Sequence, residues 1–141
     1  MKLIQLVTAY TALLTLSDMK LDAQTAFDVY DMKRTLLTNA SYFMNQEMKL
    51  ASKYAAKRED GSPDIRDGRV IFAGADDTER TENAAAYNAA RQKLCLVDAD
   101  CKYESIESKK VLYIPSSERI MPSVFEALEP IARVVVNGSE L

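Results

Sequence analysis

A chain of 141 residues without a single histidine has to draw any chemistry from carboxylates, thiols, tyrosines or lysines. Ser-His and Cys-His nucleophile pairs, an imidazole base and His-ligated zinc are all excluded at once. Two carboxylate clusters remain, Asp76-Asp77 with Glu79 and Asp98 with Asp100. Neighbouring carboxylates can share a proton or hold a hard cation. Asp98-Ala99-Asp100 lacks the further oxygen ligands and the glycine of a calcium loop, and both clusters read better as loop polarity and helix capping. Cys95 and Cys101 are two thiols, too few for a four-ligand zinc site. Their six-residue spacing would allow a small disulfide loop, but two reduced thiols are the preferred reading, with Cys95 a small buried hydrophobe in Leu94-Cys95-Leu96-Val97. The four glycines are scattered singly, so no phosphate-cradling loop is present. No catalytic, metal-binding or cofactor-binding residue is assigned, and no enzyme is expected.

Two other patterns could bind rather than react. Lys49, Lys53 and Lys57, with Arg58, fall at i, i+4 and i+8 and form a basic stripe at the end of a long helical pattern. Such a stripe would give a few phosphate contacts and weak, salt-sensitive nucleic-acid binding. Only Tyr54 interleaves it, so a solvated helix end is the favoured reading. The second pattern is apolar. From Ala23 to about Arg58 there is neither Gly nor Pro, and two adjacent seams run along the stretch. One is Ala23, Phe27, Tyr30, Arg34, Leu37, Ser41, Met44, Met48, Ala51, Ala55; the other is Ala26, Val29, Lys33, Leu36, Ala40, Phe43, Glu47, Leu50, Tyr54. A helix apolar on two seams packs against two partners. Either the rest of the chain covers both, with a break near Asn39 as one way to do so, or a second protomer covers one. Phe27, Tyr30, Leu37, Met44 and Met48 are the candidate interface residues. Tyr and Met stripes more often belong to a core, but both suit adaptable contact surfaces.

The elements that must position these residues can be read in order. Leu3, Leu6, Val7, Tyr10, Leu13 and Leu14 predict a first helix, and Asp22 is a plausible N-cap for the long one. As one rod of some 36 residues that helix would be about 54 Å long. Glu59-Asp60-Gly61-Ser62-Pro63 stops it. Ile65 to Phe72 predicts a hairpin turning at Asp67-Gly68, the dipeptide of a type I′ turn. Asp76 or Asp77 caps a third helix to about Leu94, whose Ala85, Ala89 and Leu94 suggest a thin apolar face. Residues 101–114 read as extended around a turn at Glu107-Ser108-Lys109. Pro122 opens a last helix, which Pro130 ends or bends, and Asn137-Gly138 marks a loose tail. The expectation is one domain: a helical hairpin over 1–58, a β-hairpin over 59–75, a helix over 76–96, an extended segment over 97–115 and a C-terminal helix over 116–136. The fold class is α+β and mostly helical, a long central helix packed with shorter helices plus a small antiparallel β element.

Composition sets outer limits. A net charge of −3 gives no global attraction for nucleic acid. No apolar run is long enough for a transmembrane helix. Met1 to Val7 has a look of a signal peptide, but Gln5, Thr8, Tyr10 and Thr11 interrupt the apolar run and Lys2 is its only charge, so a cytoplasmic location without a membrane partner is expected.

The stretch Leu6-Val7-Thr8-Ala9-Tyr10-Thr11-Ala12-Leu13, the Leu21 entry into a long helix, Lys53-Tyr54 with Glu59-Asp60-Gly61, and the Pro122-led ending Leu128-Glu129-Pro130 carry a resemblance. The chain resembles a family of small uncharacterised proteins encoded by tailed phages and prophages of Gram-positive bacteria. That resemblance covers most of the chain and implies a phage-derived accessory protein, with no activity to carry over to particular residues. The expected function is protein interaction or assembly without catalysis, with self-association through the long helix and an unidentified protein partner. A nucleic-acid-associated regulator using the basic helix end is the alternative.

Overall fold

The computed structural model describes residues 1–136; the expected tail at Asn137-Gly138 lies outside them. The order of elements is α1 (Leu3–Ser17), α2 (Ala23–Tyr54), β1 (Ile65–Arg66), β2 (Arg69–Val70), α3 (Asp77–Cys95), β3 (Lys110–Ile114), α4 (Pro122–Leu128) and β4 (Ala132–Val136), with a single 3-10 turn at Ile106–Ser108. Mostly helical α+β is the class observed, with four helices and a small antiparallel pair among the described residues. The contacts group the described residues into two units, 1–41 with 98–136, and 42–97; α2 has residues in each.

In the first unit, α1 and the first part of α2 supply Leu6, Leu13, Leu16, Val29, Met32 and Leu36 to one buried core, together with Tyr103, Leu112, Ile114, Leu128 and Ile131. Asp22 caps α2 as its sequence suggests, its carboxylate accepting from the Thr25 amide at 2.9 Å and from the Thr25 hydroxyl at 2.9 Å. These bonds, the backbone one first, hold the Asp22 carboxyl below the usual carboxylate range. The same Thr25 hydroxyl accepts from the Tyr113 amide at 3.3 Å, so the start of α2 is tied to β3.

The C-terminal region departs from expectation. Instead of a helix over 116–136, α4 stops at Leu128, and 132–136 form β4. Pro130 cannot donate the hydrogen bond that a continuing helix needs, and Val134-Val135-Val136 is a β-branched run that favours the extended backbone. β4 pairs parallel with β3 in the register Lys110↔Ala132 to Ile114↔Val136. A parallel partner requires a long crossover, here residues 115–131 carrying α4. The second strand pair is therefore parallel and not a hairpin.

In the second unit, α2 ends at Tyr54 and not near Arg58. Ala55 to Arg58 are extended because they pair on two sides: the Ala56 amide donates to Ile71 O at 2.7 Å, and the Asp64 amide donates to Ala56 O at 2.8 Å. Bridges Ala55↔Phe72 and Lys57↔Pro63 complete the arrangement. Helix propensity gives way to these nonlocal pairs. β1 and β2 pair antiparallel around Asp67-Gly68, where φ is 51° and 75°. Both positive values match a type I′ turn. Asp76 caps α3 by accepting from the Glu79 amide at 2.9 Å. The buried residues of α3 are Tyr87, Leu94 and Cys95, whereas Ala85 and Ala89 are exposed. The expected small-residue face is thus rotated, since Tyr87 offers far more apolar area to bury than any alanine. Its ring meets Phe72 edge-on at 5.5 Å.

Candidate functional site

The two seams of α2 have opposite fates. On the second seam Val29, Leu36, Ala40 and Phe43 are buried, although Ala26 at its start is exposed. On the first, Phe27 is 60% exposed, Tyr30 55%, Leu37 44%, Met44 51% and Met48 52%. These five are the residues singled out as a candidate interface. Phe27 and Met48 share one heptad position, with Arg34 and Ser41 between them, while Tyr30, Leu37 and Met44 share another. The seam becomes buried only at Ala51 and Ala55. Three of the five lie in the first unit and two in the second. Tyr42 is exposed as well, to one side of the seam.

Polar contacts trim the seam in the first unit. Arg34 pairs with Asp31 at 3.2 Å and sits over the Tyr30 ring at 5.9 Å. Phe27 and Tyr30 stack tilted, with centroids 6.5 Å apart. Each aromatic thus keeps a fixed neighbour while its outer face stays in water.

In the second unit Met44 and Met48 form part of one wall of an open groove of about 860 Å³. Val70 and Phe72 of the hairpin region and Tyr87 of α3 line it too. Glu47 and Arg91 pair at 2.8 Å on its lining, and the Arg91 guanidinium lies 5.7 Å from the Phe43 ring centroid. The Glu47 hydrogen bond raises Arg91 further above its already high value, and burial, with the Glu47 charge second, pushes the Tyr87 phenol up. No pattern in the sequence announces the groove. Its one local signal is Tyr87, the sole aromatic side chain in an alanine-rich helix.

The basic stripe is dispersed. Lys49 and Lys53 are exposed on α2, with Lys53 over the Tyr54 ring at 5.2 Å. Lys57 and Arg58 lie beyond the helix end: the Lys57 ammonium donates to Ser52 O, and Arg58 donates to Ile65 O at 2.6 Å and pairs with Asp64 at 3.6 Å. Lys57 therefore caps the end of the helix, and Arg58 alone of the four cations ties that end to the hairpin segment.

Four of the five clustered carboxylates are engaged in caps and ion pairs. Asp76 caps α3, Asp77 pairs with Arg80, Glu79 accepts from the Ala75 amide, and Asp98 pairs with Lys2 at 2.7 Å. Among the described residues no group of three or more His, Cys, Asp or Glu is placed to hold a metal ion. Cys95 and Cys101 are free thiols, and Cys95 is buried. No described helix is long and apolar enough to cross a membrane. Compared with protein-family models, curated proteins and solved structures, the chain finds no match in any of the three.

Proposed function

We propose that this chain is a non-enzymatic interaction or assembly protein that self-associates through α2 and presents the resulting surface to another protein. One observation carries the reading: five large apolar side chains at heptad spacing, Phe27, Tyr30, Leu37, Met44 and Met48, stand exposed on a single 32-residue helix. A helix folded only onto its own chain gains nothing from an apolar seam in water, while a packed seam removes that area from solvent. On the resemblance of the sequence alone, we read the role as that of an accessory factor of a tailed phage or prophage, acting in the cytoplasm.

The test is molar mass by size-exclusion chromatography with light scattering over a concentration series. The parent chain is expected to run as a dimer or larger, and the Leu37→Asp/Met44→Asp variant as a monomer with its far-ultraviolet circular dichroism retained. Both substituted side chains are exposed, so the fold should tolerate them. A parent that is monomeric throughout, or a variant that keeps the parent's mass, sinks the reading.

A further inference from the structure

We infer that the groove of the second unit docks a segment of another protein, one that inserts an aromatic side chain with a carboxylate beside it. This extends the reading of an interaction protein and does not depend on self-association, since every residue it uses lies within 42–97. At about 860 Å³ the groove is of ligand-site size. It is open to water, however, whereas a small-molecule site encloses roughly 70–90% of its ligand's surface. A ring carried in on a larger protein surface needs no such enclosure. The lining selects that ring. Met44 and Met48 are half exposed, and thioethers are both adaptable and attracted to aromatic rings. Phe72 and Tyr87, already edge to face at 5.5 Å, offer an arriving ring the same geometry.

Two polar groups of the lining lack partners among the described residues. Tyr87 is only 9% exposed, and its hydroxyl makes no hydrogen bond to them. No described side-chain oxygen or nitrogen is sealed from water without a partner, so this hydroxyl meets water, and the groove is the opening that Tyr87 lines. It is a donor set in an apolar wall, available to a backbone carbonyl of the arriving segment. Arg69 is exposed and has no ion pair among the described residues, while Arg66 opposite it is held by Asp64 at 3.2 Å. Arg91 of the lining is taken by Glu47 at 2.8 Å. Arg69 is therefore left to meet an incoming carboxylate, which would also offset its repulsion from Arg66.

The experiment is selection of random displayed dodecapeptides on the immobilised full chain, followed by titration of the enriched peptides in solution. Enriched sequences should carry an aromatic residue beside Asp or Glu, and their binding should shift the amide resonances of Gly68 and Val70, which line the groove. Tyr87→Phe keeps the ring and should weaken binding about 3- to 10-fold, the worth of one neutral hydrogen bond. Arg69→Gln should weaken it about 2- to 5-fold at low salt, and less at high salt. An unchanged affinity in either variant, amide shifts confined elsewhere, or no enrichment of aromatic-acidic peptides overturns the inference. So do Gly68 and Val70 amides that move with protein concentration alone, which assigns the groove to a second copy. The parent's molar mass tests the α2 seam on its own, so the two readings fail separately.

Discussion

The Tyr103 hydroxyl, on a side chain with no solvent exposure, donates to the Asp31 carboxylate at 3.1 Å across 72 residues of sequence. The Thr35 hydroxyl lies 3.3 Å from the same oxygen of Tyr103, and Lys102 stands 3.9 Å from Asp31. This is how the first unit fixes a buried phenol among leucines, since a hydroxyl without a partner there would carry a full desolvation penalty. The Tyr103 hydrogen bond, with smaller help from Lys102 and Arg34, holds the Asp31 carboxyl below the usual carboxylate range. A carboxyl that binds its proton less tightly when folded contributes stability above the unfolded value of about 3.9, and loses it as pH falls through the lower folded value. The unfolding midpoint of the parent should therefore drop as pH is taken down through that window. Asp31→Asn should flatten that acid limb relative to the parent. Equal acid slopes in urea titrations of the two proteins would remove Asp31 from the account.

Leu36 and Leu37 are adjacent in sequence and opposite in environment, 1% and 44% exposed. Leu36→Ala leaves a cavity in the first unit's core and should cost about 2–5 kcal/mol. Leu37→Ala should change the stability of the dilute chain by no more than about 0.5 kcal/mol. The order reverses for self-association, which Leu37→Ala weakens and Leu36→Ala spares as long as the chain is folded. Chemical denaturation at low concentration and light scattering at high concentration read the two effects separately. Matching denaturation costs would mean that α2 does not present the faces described.

Local signals carry much of the architecture. Asp22 and Asp76 cap the helices they precede, Asp67-Gly68 turns the hairpin, and heptad spacing alone assigns Leu36 and Leu37 to different seams. What stays illegible depends on residues far apart in sequence. Ala55 to Arg58 continue a helical pattern and leave the helix only because residues 62–64 and 71–73 arrive to pair with them. Nothing local announces that β3 will pair parallel with a strand beyond a crossover, although Val134-Val135-Val136 does signal extended backbone. Tyr103 with Asp31, and Glu47 with Arg91, are side-chain meetings that no periodicity encodes.

At the tip of the hairpin, Arg66 and Arg69 oppose each other across the strands. Like charges in facing positions weaken a strand pair, so the turn itself has to hold the register. Gly68 sits at φ 75°, and a Cβ built there meets nothing within 4 Å. Gly68→Ala should therefore cost about 1–2 kcal/mol through backbone strain alone, with no steric part. Asp67→Asn should cost less, because Asn tolerates the left-handed region. Amide exchange in residues 54–73, read beside the thermal midpoint, locates the loss. A neutral Gly68→Ala would mean that the turn does not hold positive φ in solution.

Cys101 packs half-buried against the core of the first unit. Burial is the largest influence on its thiol and pushes it up, with the Glu104 charge adding to the rise, while the Tyr103 amide and the nearby terminal ammonium oppose it. Since the thiolate is the nucleophile, a raised thiol holds back reaction at neutral pH. In a Cys95→Ala variant, alkylation of Cys101 by iodoacetamide at pH 7 should be several-fold slower than in the same chain unfolded in urea. The rate should still be climbing with pH where that of an ordinary thiol, near about 8.5, has passed its midpoint. A folded-state profile that coincides with the unfolded one would show that the side chain is open to water, and would remove Cys101 from the residues that pack against this core.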